Sequence, residues 1–401
     1  MLSRTLDDSY PDVIRRDLVT VIVARLAANA AYRYAPPFLA TIARGLDVGL
    51  DELGVALAIT ELVGFTSPMI GRMIDRLPRR TVIVAGLVGI AGGAAIAAVS
   101  TGLAVFTIGL AVLALAKLTF DIGLGSWIAD HVPYERRGRV VGVTETSWAL
   151  GLLVGVTAMG VVTTVSSWRW AYVAALLAVV VMAVVVAHRL DAVEPAPGAL
   201  ADTVAPGSTV AGPIRPVARL PRQAWLAALA VFALMAAAQA VFVTFGPWLE
   251  ERFGFGAGGL AAVAFGLGAV ELVASTTSAS RTDRWGKERS VIGGTAVMAA
   301  AGLALAVADD QLAVGLVLLG AFVLAFEFSI VSAIPIGGDL IPGSPSRGLG
   351  MMLACGTLGR AAMSIPATSL YERSGIPAAA LLAAGAATIA GLAMMARLRA
   401  R

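Results

Sequence analysis

The chain has 401 residues, 58% of them hydrophobic and only 14% charged, and its mean hydropathy is +0.84. Water-soluble domains carry about 25% charged residues, so this composition excludes a soluble protein and points to one folded in a bilayer. The formal net charge of +4 sits between apolar runs, where it serves membrane topology and gives no reason to expect a nucleic-acid partner.

The first 17 residues mix Arg4, Arg15 and Arg16 with Asp7, Asp8, Asp12 and Asp17. That is not the basic start of a cleaved signal peptide, so the first helix is expected to be retained. A crossing helix needs about 20 apolar residues. Runs of that kind predict spans at 18–42, 52–73, 81–100, 103–128, 139–163, 168–187, 223–249, 256–280, 290–308, 311–336, 348–371 and 376–396. The fold class expected is therefore an all-α membrane protein of twelve transmembrane helices. The turns "STGL" at 100–103 and "ADDQ" at 308–311 are the shortest connections in that count.

Charges inside the spans are the candidate functional groups, because an unpaired ion at mid-span costs about 2.5–3.5 kcal/mol on insertion scales. In the first span Arg25 and Arg33 lie eight residues apart, about 80° around the helix, and Pro36 and Pro37 follow. The second span holds Glu61. The fourth reads "KLTFDIGLG", with Lys117 and Asp121 spaced to stack on one helix face. A buried Lys can release its proton where an Arg cannot, so Lys117 and Asp121 are a candidate titrating pair. The fifth span opens "GVTETSWALGLLVGVTAMG", with Glu145 near its start and Gly151, Gly155 and Gly160 farther on. Glu145 is either a proton site or a partner of Arg136, Arg137 or Arg139. The glycines suit close helix packing, and Trp127 and Trp148 are read as interface anchors.

Residues 188–222, rich in Pro, Ala and Gly, read as a flexible linker. It divides the chain into a six-helix bundle at 1–187 and another at 223–401. Shifting the second half by about 210 positions brings "GPWL" onto "PPFL" and Glu271 onto Glu61. With small slips, "DLIP" at Asp339 falls on "DHVP" at Asp130, and "DRWGKER" at Asp283 on "DRLPRR" at Asp75. The matches keep one order, which indicates a parallel repeat of six helices. Glu61 and Glu271, at matching places, are candidates for proton binding, since a carboxylate taken out of water favours its neutral form. Equally, they are candidates for a structural role against the eleventh and fifth spans, with Arg360 as the partner of Glu61. Glu327 in the tenth span is a further cavity candidate. Cys355, the one cysteine, reads as a packing residue.

Of the thirty Lys and Arg residues, twenty-two fall on one side of this scheme, four on the other and four within spans. Basic loops resist translocation, so both termini are expected in the cytoplasm.

The loop "GRMIDRLPRR" and its second copy "DRWGKER" resemble the signature loop of the major facilitator superfamily. Pro78 stands where that family usually has Gly, and Ala279 where the second copy would open on Gly. The resemblance implies two six-helix halves rocking about a midplane site, with spans 1, 4, 7 and 10 lining the cavity. It also implies a latch holding the cytoplasmic side shut in the outward-facing state, built from Gly71, Asp75, Arg76, Arg80, Asp283 and Arg284, with Asp75 against the start of the eleventh span. On this reading Arg33 gives the cavity positive charge, and Lys117 and Glu327 lie near its floor. "KLTFDIGLG" and the glycine run of the fifth span resemble the proton-coupled efflux branch in part. Lys117 stands where that branch has Arg, and Val156 where it has Pro.

A histidine-based enzyme is excluded by supply: His131 and His188 are the only histidines. "GFGAGG" at 254–259 has the spacing of a dinucleotide loop but lies in a connection with no strand before it. The function expected is secondary transport of a small organic solute, first as proton-coupled efflux of drug-like compounds or metabolites. The alternative is proton-coupled uptake of a small, anionic solute, and a membrane sensor stands third. No cofactor is expected; the partners expected are solute, protons and bilayer, with a monomeric chain in a bacterial cytoplasmic membrane.

Overall fold

The computed structural model describes residues 12–66, 69–70, 77–132, 134–190, 221–338, 340 and 345–400. Among them there is no strand. The helices are α1 (Asp12–Arg33), α2 (Leu39–Leu46), α3 (Leu50–Leu62), α4 (Arg79–Ala98), α5 (Leu103–His131), α6 (Tyr134–Leu150), α7 (Thr157–Val165), α8 (Trp168–Arg189), α9 (Arg222–Phe242), α10 (Phe245–Phe253), α11 (Ala257–Trp285), α12 (Lys287–Leu305), α13 (Leu312–Gly338) and α14 (Pro345–Arg399). Eight stretches among the described residues have the length and apolarity to cross a bilayer. α1 is not one of them, because Asp12, Arg15, Arg16, Asp17, Arg25 and Arg33 lower its hydropathy.

Three expected spans are interrupted, each where the sequence has a local reason. The first breaks at Tyr34–Phe38, where Pro36 and Pro37 each lack a backbone N–H, and resumes as α2. The seventh breaks at Val243–Thr244 and resumes as α10, so the first copy of the repeat is broken within "PPFL" and the second just before "GPWL". The fifth contains a π-helical turn, Gly151–Val156, between α6 and α7. α14 holds two helices joined at Gly375, whose φ of 68° and ψ of −166° suit glycine; Pro377 then opens the second helix.

The packing repeats across the halves. α4 lies on α5 and α8 as α12 lies on α13 and the last part of α14; α3 packs on α5 as α11 packs on α13. Small residues allow the backbones to approach. A Cβ on Gly86 would sit 2.8 Å from the Phe120 backbone, and one on Gly93 2.6 Å from the Leu113 nitrogen. Two seams join the halves: α3 against the first part of α14, and α11 against α6, the π-turn and α7.

One face of the molecule, the terminal end, gathers the end of α8, the start of α9 and the end of α14. There Arg397 donates to the Gln223 carbonyl at 2.6 Å and Arg80 to the Leu190 carbonyl at 3.4 Å. At the distal end of the first half, Tyr34, Phe38, Phe106, Trp168 and Tyr172 form a buried aromatic cluster.

Candidate functional site

Three polar residues four apart, Arg25, Asn29 and Arg33, lie along one side of α1 and each bonds to α6. Arg25 is the centre of the first cluster. Its Nε is 3.3 Å from Asp121 Oδ1, its Nη2 is 3.0 Å from Glu145 Oε1, and its Nη1 donates to the Thr144 carbonyl at 3.1 Å. Lys117 donates to the other oxygen of Asp121 from one turn away on α5. Asp121 is thus held by two cations, and Arg25 and Lys117 are buried. Glu145 pairs with Arg25; the side chains of Arg136, Arg137 and Arg139 lie outside the described residues.

One turn farther along α1, Asn29 donates to the Ser147 carbonyl at 3.0 Å. Its counterpart 210 residues on, Gln239 of α9, donates to Ser364 Oγ of α14 at 2.9 Å. The repeat thus extends to a carboxamide that ties the first helix of each half to the fifth.

Arg33 forms the second cluster and crosses between the bundles. Its two terminal nitrogens meet Glu271 at 2.8 and 2.5 Å, one also donates to the Trp148 carbonyl at 2.8 Å, and the guanidinium lies 4.4 Å over the Trp148 ring. Glu271 is wholly buried. The positive charge expected of Arg33 is balanced by this carboxylate, and Glu271 turns to α1 rather than to the fifth expected span. Trp148 stacks under Arg33 and Trp127 is buried against His131, so neither is an interface anchor.

Glu61 reaches the first part of α14, where Arg360 Nε and Nη2 lie 2.9 and 2.8 Å from its Oε2 and Tyr32 donates to Oε1 at 3.3 Å. The expected Glu61–Arg360 pair is present. The two glutamates are therefore equivalent in the repeat, but their arginines come from non-equivalent helices.

Glu327, on α13, is 5% exposed and accepts from Ser275 of α11 at 2.8 Å. Among the described residues no basic side chain lies within ion-pair distance of it; Glu271, Arg33 and Glu145 are the charged groups within electrostatic reach. Ser275 continues a stripe that begins at Glu271 and runs through Ser278 and Thr282 at spacings of four, three and four. Ser278, Thr282 and Ser332 of α13 form a ring of hydroxyls at 2.8–3.0 Å. These serines are not among the residues expected from the sequence. Their signal was the periodicity of "ELVASTTSASRT", a polar stripe on one helix face.

Of the latch residues, Gly71, Asp75, Arg76 and the side chain of Asp283 lie outside the described residues. Arg80 bonds within its own half, and Arg284 is exposed near the end of α11. The neighbours Arg79 and Glu288 also tie their loops to their own halves, through Asp130 at 2.8 Å and Arg397 at 3.7 Å. Gly151 and Gly155 face α1, and Gly160 faces Phe38 and α11, so this glycine run packs helices.

The bundles meet closely at the distal end. Glu250 pairs with Arg44 and accepts from Thr41 at 2.7 Å; Glu372 accepts from the backbone N–H of Leu50 and Asp51, at the start of α3, at 2.5 and 3.1 Å. Gly246 lies against the Pro36 and Pro37 carbonyls, where a Cβ would collide. The side chains of Asp121 and Glu145 are 34% and 47% exposed, whereas those of Glu250 and Glu271 are 5% and 0%. Among these four carboxylates, the two nearer the terminal end are therefore the more exposed.

Two helical bundles of repeated packing, with ion pairs along their midline, define a multi-pass membrane protein of transporter architecture. The family model of the major facilitator superfamily matches residues 21–336, and the chain belongs to that superfamily. It is similar to the uncharacterized MFS-type transporter YwfA of Bacillus subtilis, 28% identical over 147 residues, 36% of each chain. It is also similar to the MFS efflux transporter aclA of Aspergillus oryzae, 27% identical over 156 residues, 38% of this chain and 28% of that one. These matches span about a third of the relatives' length. The crystal structure of a bacterial homologue of the human lysosomal transporter Spinster, inward-facing and unoccupied, superposes with a TM-score of 0.77 at 11% identity. It covers 97% of this chain and 98% of that one, and shows the same fold.

Proposed function

We propose that the chain is a proton-coupled secondary transporter that expels a small drug-like compound or metabolite from a bacterial cell by alternating access. The terminal end faces the cytoplasm, as the distribution of Lys and Arg favours. The observation that carries the reading is the contrast between two carboxylates inside the helical bundle, the half-buried Asp121 and the buried Glu327. Asp121 accepts from both Arg25 and Lys117, whereas Glu327 accepts from Ser275, a neutral donor. Binding a proton at Glu327 removes a charge that, among the described residues, no cation within ion-pair distance balances. Binding one at Asp121 leaves Arg25 and Lys117 with less compensation. Glu327 is accordingly the proton carrier in this reading, and the Arg25–Lys117–Asp121–Glu145 cluster is the polar lining that solute meets from the cytoplasm. Resemblance to an efflux transporter supports the direction, and the energy source is the proton gradient, with no cofactor.

Everted membrane vesicles holding an acid interior test this. A panel of lipophilic cations, antibiotics and organic acids is added while an internal pH dye is read. The expected result is that at least one compound dissipates the gradient with the native chain and not with Glu327→Gln. Gradients undisturbed by every compound, with inserted and folded protein, would overturn antiport. Loss with Asp121→Asn but full activity in Glu327→Gln would move the proton site to Asp121.

A further inference from the structure

Side-chain hydroxyls inside helices usually turn back to a carbonyl three or four residues earlier, and this chain follows the habit widely. Thr60, Thr144, Thr163, Thr244, Thr295 and Ser329 all do so. Four hydroxyls on the seam between α11 and α13 do otherwise. Ser275 spends its proton on Glu327, and Ser278, Thr282 and Ser332 bond to one another. The three ring members are at most 6% exposed. Thr282 lies one turn from Trp285, where α11 ends beside exposed Arg281 and Arg284. That end of α11 is the terminal end, since α12 begins just after it and Glu288 there pairs with Arg397 near the end of α14.

We infer that Ser275, Ser278, Ser332 and Thr282 are positioning residues that relay the proton between Glu327 and the terminal end. The seam would then be a proton path separate from the solute path beside Arg25 and Asp121. The inference rests on Glu327 being the proton carrier. Each hydroxyl takes a proton on an oxygen lone pair as it gives up its own, so every oxygen ends with one proton and one proton has moved. The proton leaves Glu327 through Ser275 and passes through the ring to water at the end of α11. Ser275 and Ser278 are three residues apart, about 5–6 Å between Cβ atoms, a gap that one water would bridge. Glu271, Arg33 and Glu145 are the charged groups within electrostatic reach of Glu327, and none of them is bonded to the ring.

The test needs no solute. Purified full-length protein in lipid vesicles is given a rapid pH jump, and the infrared band of the protonated carboxyl group that is lost in Glu327→Gln is followed in time. Ser278→Ala with Ser332→Ala is expected to slow the band by about tenfold or more while leaving its pH midpoint in place, and Ser332→Thr is expected to restore the rate. A role confined to helix packing would shift the midpoint or the thermal stability and spare the rate. Native rates in the alanine variants, at matched folded content by circular dichroism, would overturn the relay and leave Glu327 as carrier. If the native chain shows no band that Glu327→Gln removes, the carrier reading fails and the relay with it.

Discussion

Arg33 and Glu271 belong to different halves of the chain, and each leaves a buried ion behind if the other is removed. Breaking a buried pair from one side typically costs about 3–5 kcal/mol, whereas replacing both partners with apolar groups is often neutral. Arg33 has a further tie, since it bonds the Trp148 carbonyl and stacks on its ring. Glu271→Gln is therefore expected to lower the thermal unfolding midpoint in detergent markedly, and Arg33→Met with Glu271→Gln to recover most of it. A double variant no better than the single one would show that the pair acts independently of charge balance. Glu61 and Arg360 form the corresponding tie on the other seam. The two ties differ because position 243, the repeat mate of Arg33, is Val, so the second half has no arginine to offer at that place.

Helices show why some of this was legible in the sequence and some was not. The all-helical, apolar character of the chain and the Lys117–Asp121 pair follow from periodicity and spacing within one helix, which the chain carries locally, whereas eight stretches among the described residues are long and apolar enough to cross a bilayer where twelve were expected. Glu61–Arg360 followed from the repeat and the fold together. The partner of Glu271 did not, because it depends on which faces α1 and α11 turn to each other, and a rotation of about 100°, one residue's worth, would change it. The π-turn was hidden for the same reason: Gly151 and Gly155 looked like packing residues, and they are, but the extra residue in the turn is fixed by α1 and α11 on either side. Gly268 shows how close that contact is, since a Cβ there would fall 2.6 Å from the Leu153 Cα. Packing at this density predicts opposite outcomes for two glycines. In Gly155→Val the new side chain meets Ala30 of α1, and overpacking of about 1–3 kcal/mol should lower the unfolding midpoint. Gly92, inside α4 with nothing within 4 Å of its Cβ position, should accept Ala with an equal or higher midpoint, since helix propensity favours Ala by up to about 1 kcal/mol. Equal losses at both positions would argue against the α1 contact.

At the scale of the whole molecule, the distal end is held by small contacts that act on one equilibrium. A depression of about 490 Å³, lined by Thr41, Arg44, Thr163, Thr164, Glu250 and Ala257, lies at that surface where residues of both bundles meet. Below it Glu250 joins α10 to α2, and Glu372 places a negative charge at the start of α3, where the backbone N–H groups and the helix dipole favour it. Arg44 is largely exposed, so its ion pair contributes at most about 1 kcal/mol, and the Glu372 contact contributes a similar amount. Their combined loss, about 1–2 kcal/mol, corresponds to a shift of about 5- to 30-fold between closed and open distal ends. Gly246 acts on the same equilibrium through sterics, because a methyl group there would wedge α10 away from the Pro37 carbonyl. A reporter cysteine at Val243, buried beside the break before α10, reads the opening once Cys355 has been replaced by Ser. Glu250→Gln with Glu372→Gln, and separately Gly246→Ala, should each speed labelling of that cysteine by a membrane-impermeant maleimide added outside. The gain expected is several-fold, and the Cys355→Ser background without the reporter should stay unlabelled. Faster labelling by Gly246→Ala alone would mean that steric fit holds the end shut and the carboxylates are incidental. Unchanged labelling in both would mean that the middle pairs, Arg33–Glu271 and Glu61–Arg360, set the equilibrium by themselves.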